Sequence, residues 1–156
     1  LLMTLYETIQ AIERVASSMK EVNMIVRNDI FRLNAAPEAK YGVFGWLQQQ
    51  HRSAANSSLI VYQFTFFYVD RLTENKGNEL EVQSTGIRCL DAIIKKLYDL
   101  GIEAENDYTF QTFNQRFADE CAGVWCGVSL AVPVSGGCLD ASGDFNDDYN
   151  ADFYIY

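Results

Sequence analysis

Five side chains are the first places to look for chemistry: His51 and the thiols Cys89, Cys121, Cys126 and Cys138. A nucleophile needs a base beside it, and His51, the sole histidine, is the one imidazole available to a thiol. No spacing in the chain joins it to a cysteine. His51 follows Gln48, Gln49 and Gln50 at a strand end, where the ordinary reading is a structural or surface histidine. Zinc asks for paired ligands at short spacing. Cys121 and Cys126 fall on opposite faces of one expected strand, and Cys138 follows in a loop, so buried free thiols are the better reading. The run Asp140, Ser142, Asp144, Asn146, Asp148 has the look of a calcium loop. A calcium loop of the EF-hand type needs Gly at its sixth position and Glu at its twelfth. Counted from Asp140 those positions hold Phe145 and Ala151. No glycine-rich phosphate cradle is present, and no carboxylate pair sits in apolar surroundings that would tune it for acid–base work. The residues point away from catalysis, and no cofactor is expected.

The elements that would position these residues are legible from period and punctuation. Thr4 and Glu7 form a capping-box pattern. Leu5, Ile9, Ile12, Ala16 and Met19 then recur at helical spacing, which predicts an amphipathic helix over 4–21. Val22, Met24 and Val26 alternate with polar neighbours, and Ile30, Phe31 and Leu33 follow an Asn-Asp pair. A strand, a turn and a second short extended piece are expected before Pro37. Tyr41, Val43 and Gly45 alternate ahead of Trp46 and Leu47. Residues 53–58 read as a loop, and Leu59–Val69 as the strongest strand. Asn78 is placed to cap a helix over 79–100, with Leu80, Ile87, Leu90, Ile94 and Leu97 along one face. Gly86 lies inside it, where close packing would use a missing side chain. Lys95 and Lys96 suit the helix end, and Gly101 its stop. The acids Glu79, Glu81, Asp91 and Asp99 read as a solvated face. Residues 107–119 alternate through Tyr108, Phe110, Thr112 and Asn114, with Phe113 and Phe117 on the other parity, so a bulge or burial on both sides is expected. The last strand, 121–134, carries Val124, Cys126, Val128, Leu130, Val132 and Val134 on one face and pairs with its predecessor as a hairpin around Asp119-Glu120. The expected class is α+β: a mainly antiparallel sheet with two helices packed on one face, in the order α-β-β-β-α-β-β.

The chain has 156 residues, 49% of them hydrophobic, with ten Phe, nine Tyr and two Trp. That supports one domain with its own core, expected over 1–137. From 138 to 156 the composition shifts to an acidic, aromatic tail. Asp140, Asp144, Asp147, Asp148 and Asp152 supply −5 of the formal net charge of −9, and no Lys or Arg occurs among them. Phe145, Tyr149, Phe153 and Tyr154 give the tail apolar anchors for a neighbour. Lys and Arg are scattered, so no basic stripe grips phosphates and sequence-specific DNA binding is not expected. No run of 18 apolar residues predicts a membrane helix, and no signal-peptide pattern opens the sequence. The cysteines read as reduced, cytosolic thiols.

The stretch Tyr62-Gln63-Phe64-Thr65-Phe66-Phe67-Tyr68-Val69-Asp70-Arg71-Leu72-Thr73, running into Asn78-Glu79-Leu80-Glu81-Val82-Gln83-Ser84-Thr85-Gly86-Ile87, resembles small neck or tail proteins encoded by phages and prophages of gut Bacteroidales. The element order is also similar to that of the tail-terminator (tail-completion) family of tailed phages. The pattern covers most of 1–134, with specific motifs across 41–90, and leaves 138–156 outside. The resemblance implies a structural virion protein, assembled in the bacterial host cytoplasm. Such proteins form rings that cap the tail tube or sit between portal and tail, and genomic DNA passes through them. Six copies would match a tail tube and twelve a collar beside the portal. An acid-lined lumen would repel the DNA backbone and let it slide. Tyr62, Phe64, Phe66 and Tyr68 on the long strand, with Phe145, Tyr149, Phe153 and Tyr154 in the tail, are the expected subunit contacts. Glu74 in the turn Thr73–Asn78, and Glu103, Glu105 and Asp107, are the expected lumen acids. The alternatives are a non-enzymatic adaptor that binds a partner protein and a small-ligand binder, the latter requiring His51, a thiol and a carboxylate to converge.

Overall fold

A computed structural model describes residues 3–29, 40–114 and 120–133. Helix α1 spans Leu5–Ser17. The expected capping box forms: Thr4 Oγ1 accepts the Glu7 N–H at 3.1 Å, and the Glu7 carboxylate accepts the Thr4 N–H at 3.4 Å. Thr8, Ala11, Ile12, Val15 and Ala16 make the buried stripe. The helix stops earlier than its apolar spacing implies. The hydroxyls of Ser17 and Ser18 donate to the carbonyls of Arg14 and Val15 at 2.9 and 2.6 Å, taking acceptors that a further turn would use.

Strand β1 (Met24–Arg27) lies parallel to β2 (Val43–Gln48), the one parallel pairing among the described strands. Residues 28–42 are long enough for the crossover that a parallel pair requires. Every other pairing is antiparallel. Strands β4 (Leu59–Arg71) and β7 (Cys121–Pro133) pair along their full thirteen residues, from Leu59↔Pro133 to Arg71↔Cys121. On the outer side of β4 lie β2 and the two-residue β3 (Arg52–Ser53). On the outer side of β7 lie the two-residue β5 (Glu103–Ala104) and β6 (Phe110–Asn114). The class is α+β; among the described residues there are two α-helices and a mixed, mostly antiparallel sheet of seven strands. The strands β3 and β5 were not legible: two residues carry no period, and β3 falls where the composition reads as loop.

Helix α2 spans Glu79–Tyr98 and buries Val82, Gly86, Cys89, Leu90, Ile93, Ile94 and Leu97. The expected apolar face is therefore misphased at its start, since Leu80 is 80% exposed and Ile87 37%. Gly86 explains the rotation. A Cβ there would stand 2.8 Å from Val124 Cγ2 and 3.1 Å from Tyr68 Cδ1, so the helix backbone comes down onto the sheet where a side chain is missing. Gly86→Ala should accordingly reverse the usual helix preference. Propensity alone would stabilise by about 1 kcal/mol. The new methyl instead meets a stiff, fully buried valine and a buried tyrosine ring. A net loss of about 1–3 kcal/mol is expected, read as a lower urea midpoint at unchanged slope.

Asn78 occupies the N-cap position without capping by its side chain. Its Oδ1 accepts from the Thr73 N–H and hydroxyl at 2.8 and 3.2 Å, and its Nδ2 donates to the Arg71 carbonyl at 3.2 Å. The amide braces the preceding turn instead, and Glu79 and Glu81 answer the helix dipole. At the other end Gly101 takes φ +82°, and the Ile102 N–H returns to the Leu97 carbonyl at 3.1 Å, closing the helix as expected.

Both helices cover one face of the sheet. Beneath them lie Phe44 and Trp46 of β2, Tyr62, Phe64, Phe66 and Tyr68 of β4, and Val124, Cys126, Val128, Leu130 and Val132 of β7. Here the expectation for subunit contacts needs correcting. Tyr62, Phe64, Phe66 and Tyr68 are 7, 1, 0 and 2% exposed. Strand β4 sits in the middle of the sheet, and its even-numbered side chains point under α1 and α2, so no neighbour can reach them in this fold. The opposite face carries a second cluster: Val26, Val43, Phe67, Val69, Phe113 and Cys121. Phe113 lies here while Phe110 packs toward the helices, so β6 sends one aromatic to each face while Gln111, Thr112 and Asn114 are exposed, and Phe117 lies outside the described residues.

Candidate functional site

The chemistry-bearing residues do not converge. His51 sits between β2 and β3. Its Nδ1 accepts the Gln63 backbone N–H at 3.2 Å, which leaves Nε2 protonated to donate to Gln48 Oε1 at 3.0 Å. Its ring stands edge-on to Tyr62 with centroids 5.3 Å apart and tilts against Phe64 at 5.8 Å. Both nitrogens are engaged with amides, and the imidazole bridges the break between two short strands on the same edge of β4. No thiol or carboxylate bonds to it among the described residues.

Cys89 on α2 and Cys126 on β7 lie in the core between helices and sheet, and Cys121 lies on the other side; all three are buried. Burial pushes the thiols of Cys89 and Cys126 up to about 11, with Glu21 and Asp91 respectively adding to the shift. A thiol whose ionisation is raised in the fold favours the folded state while it stays protonated. That contribution is complete below the ordinary thiol range near 8.5 and is lost as pH rises through about 11. Both thiols should therefore react with a maleimide or disulfide reagent at pH 8 at least about a hundredfold more slowly in the folded protein than in urea. Rapid labelling of either at native pH would overturn this placement. Among the described residues no three His, Cys, Asp or Glu side chains come together to hold a metal. Cys138 and the run Asp140–Asp148 lie outside the described residues, as do Phe145, Tyr149, Phe153 and Tyr154.

The four expected lumen acids are exposed but separated. Glu74 stands in a one-turn 3-10 helix ahead of α2, whereas Glu103, Glu105 and Asp107 follow its far end. Twenty residues of helix at 1.5 Å each put about 30 Å between the two groups. Glu105 is ion-paired with Arg52, linking β3 to the segment after β5. Asp91, read as solvated, instead accepts the Tyr108 hydroxyl at 2.7 Å and pairs with Lys95 at 2.8 Å. The Lys95 contact holds its carboxyl below the usual range, and burial together with Asp91 raises the Tyr108 phenol. This network ties α2 to the loop before β6.

Two surfaces remain with functional character. The first is the helix-free face of the sheet, which changes chemistry along the strands. Its Phe67–Val69–Phe113 half is apolar, and its other half carries Gln63, Thr65, Gln111 and Ser129 around Gly127. The second is a groove of about 470 Å³ on the outer side of α1, between that helix and the β1–β2 edge. Tyr6, Arg14, Arg27 and Trp46 line it. Sequence reasoning passed over this group, although the signal was present: Tyr6 and Arg14 lie off the apolar stripe of α1, which puts a large aromatic and a cation on its outer side.

No described helix is long and apolar enough to cross a membrane. No protein-family model matches the sequence, and no curated protein matches it either.

Proposed function

We propose that this protein is a structural subunit of a phage neck or tail, a tail terminator or head–tail connector that assembles head-to-tail with copies of itself into a ring of six or twelve. Genomic DNA passes through the ring, and portal, neck or tail-tube proteins flank it. The subunit acts in the virion after assembly in the bacterial host cytoplasm, and it is not an enzyme. The observation that carries the reading is the sheet's two unlike borders. The four-residue β1 ends one side, and the broken β5–β6 line ends the other. A closed cyclic contact joins two different patches of one subunit, and two unlike borders suit that, whereas a twofold dimer uses one patch against itself. The charge balance agrees. A chain at −9 without a basic stripe suits a wall that DNA slides past. The engagement of His51 with Gln48 and Gln63 leaves that histidine a structural role.

The test is the mass of the purified chain in solution by native mass spectrometry or light scattering, with negative-stain images of any assembly. The expected result is a closed particle of six or twelve times 17.7 kDa with a central hole. A stable monomer at micromolar concentration in near-physiological salt, unchanged when candidate portal or tail-tube proteins are added, would overturn the reading.

A further inference from the structure

We infer that the groove on the outer side of α1 receives the acidic aromatic segment, residues 144–154, of a second copy of this chain. The inference rests on the proposed ring and supplies one of its unlike contacts. The groove is built around Glu13. That carboxylate accepts from Arg27 Nε at 2.7 Å, Arg27 Nη2 at 3.0 Å and Trp46 Nε1 at 3.0 Å. Its charge is thereby matched by Arg27, and the indole N–H is used, which leaves the Trp46 ring as apolar lining. Arg14 is exposed and forms no ion pair among the described residues, and it also borders a second cavity lined by Asp99 and Glu103; within the groove itself Arg14 and Arg27 outnumber Glu13 by one positive charge, on a chain of net charge −9. Arg27 is itself 69% exposed at its side chain. Tyr6, 70% exposed, and Ile9 complete an apolar wall.

The complementary chemistry is carried by the chain itself. Residues 144–154 hold Asp144, Asp147, Asp148 and Asp152 interleaved with Phe145, Tyr149, Phe153 and Tyr154, and contain no Lys or Arg. Arginine pairs with carboxylates through its planar fork and stacks on aromatic faces, so one short peptide can offer a carboxylate to Arg14 and an aromatic ring to the exposed face of Arg27. The root of the segment is in place. The Pro133 carbonyl at the end of β7 accepts the Met3 N–H at 3.3 Å, beside the start of α1. The ten residues 134–143 include Ser135, Gly136, Gly137, Ser142 and Gly143. Fully extended they span up to about 33–36 Å, which lets the aromatic segment leave the surface at which it is rooted. Exchange between neighbours uses the tail and the groove as two unlike patches of opposite charge, the arrangement a cyclic contact requires.

The test uses the full chain with Cys138→Ser as background. Tyr6→Cys and Tyr149→Cys are introduced together and the protein is oxidised. The expected product is a ladder of disulfide-linked multimers on non-reducing gels. In parallel, Arg14→Glu should raise the concentration at which the assembly dissociates at least tenfold with its denaturation midpoint unchanged, and adding Asp147→Lys with Asp148→Lys should restore it. An assembly that persists while the cysteine pair stays unlinked and Arg14→Glu has no effect overturns the docking and leaves the ring. A bond formed only within one chain overturns exchange between copies. A wild-type chain that is monomeric throughout removes the ring and this contact together.

Discussion

Gly45→Ala is expected to lower stability by about 2–5 kcal/mol, a large effect for one added methyl group. The reason is direct contact. Gly45 pairs with Phe67 across β2 and β4, and the Phe67 ring lies over the glycine on the helix-free face. A Cβ at position 45 would fall 1.9 Å from Phe67 Cζ and 2.3 Å from its Cε1. The ring is fully buried against Val43, Val69 and Val26, so it has no vacant space to enter. If the strands part slightly, the cost is that of overpacking, about 1–3 kcal/mol. If the ring leaves its seat, the loss approaches that of deleting a buried phenylalanine, about 3–5 kcal/mol. The check is a double-mutant cycle by urea denaturation. Phe67→Ala alone should be costly, and Gly45→Ala added to it should cost almost nothing, because the clash has gone. Full additivity of the two would mean that the ring does not rest on the glycine.

Phe66→Ala is the second large effect, expected at about 3–5 kcal/mol. Phe66 is fully buried beneath the helices, 5.4 Å from Phe44 and 5.9 Å from Phe64 between ring centroids, and opposite Cys126 on β7. The experiment separates a core role from a contact role. In the core, the substitution lowers the unfolding midpoint of the dilute protein, where no assembly exists. A side chain that anchored a neighbour would leave the dilute protein as stable as before and raise only the dissociation concentration. The same measurement on Tyr6→Ala should give the converse, since Tyr6 is exposed in the α1 groove.

The contrast between Phe66 and Tyr6 marks how far sequence reasoning reached. A strand over 59–69 is unmistakable from its β-branched and aromatic run; the fold extends it to Arg71 and places it in the middle of the sheet. Nothing local states which of its two faces meets the helices, because Phe64, Phe66 and Phe67 are aromatic on both parities. The long register with β7 and the positions of α1 and α2 decide that the even face is sealed. Helix α2 shows the same division. Its extent, its lysines and its stop at Gly101 follow from caps and charge within a few residues. Its sequence carries two overlapping apolar stripes, one through Leu80 and Ile87 and one through Val82, Cys89 and Ile93. Contact with Val124 and Tyr68 at Gly86 selects the second.

What the sequence determined by itself is therefore what acts over one or two turns or along one strand: the Thr4–Glu7 cap, the alternation of 121–133, the hairpin of β6 with β7, and the α+β class. The tertiary structure alone decided the parallel pairing of β1 with β2, the two-residue strands, the bridging role of His51 and the grouping of Glu13, Arg14, Arg27 and Trp46. These depend on residues far apart in the chain whose meeting no local period encodes. Arg27 and Trp46 each satisfy their own strand pattern equally well with or without a carboxylate beside them. Only the packing of α1 against the sheet edge brings Glu13 within 3.0 Å of both.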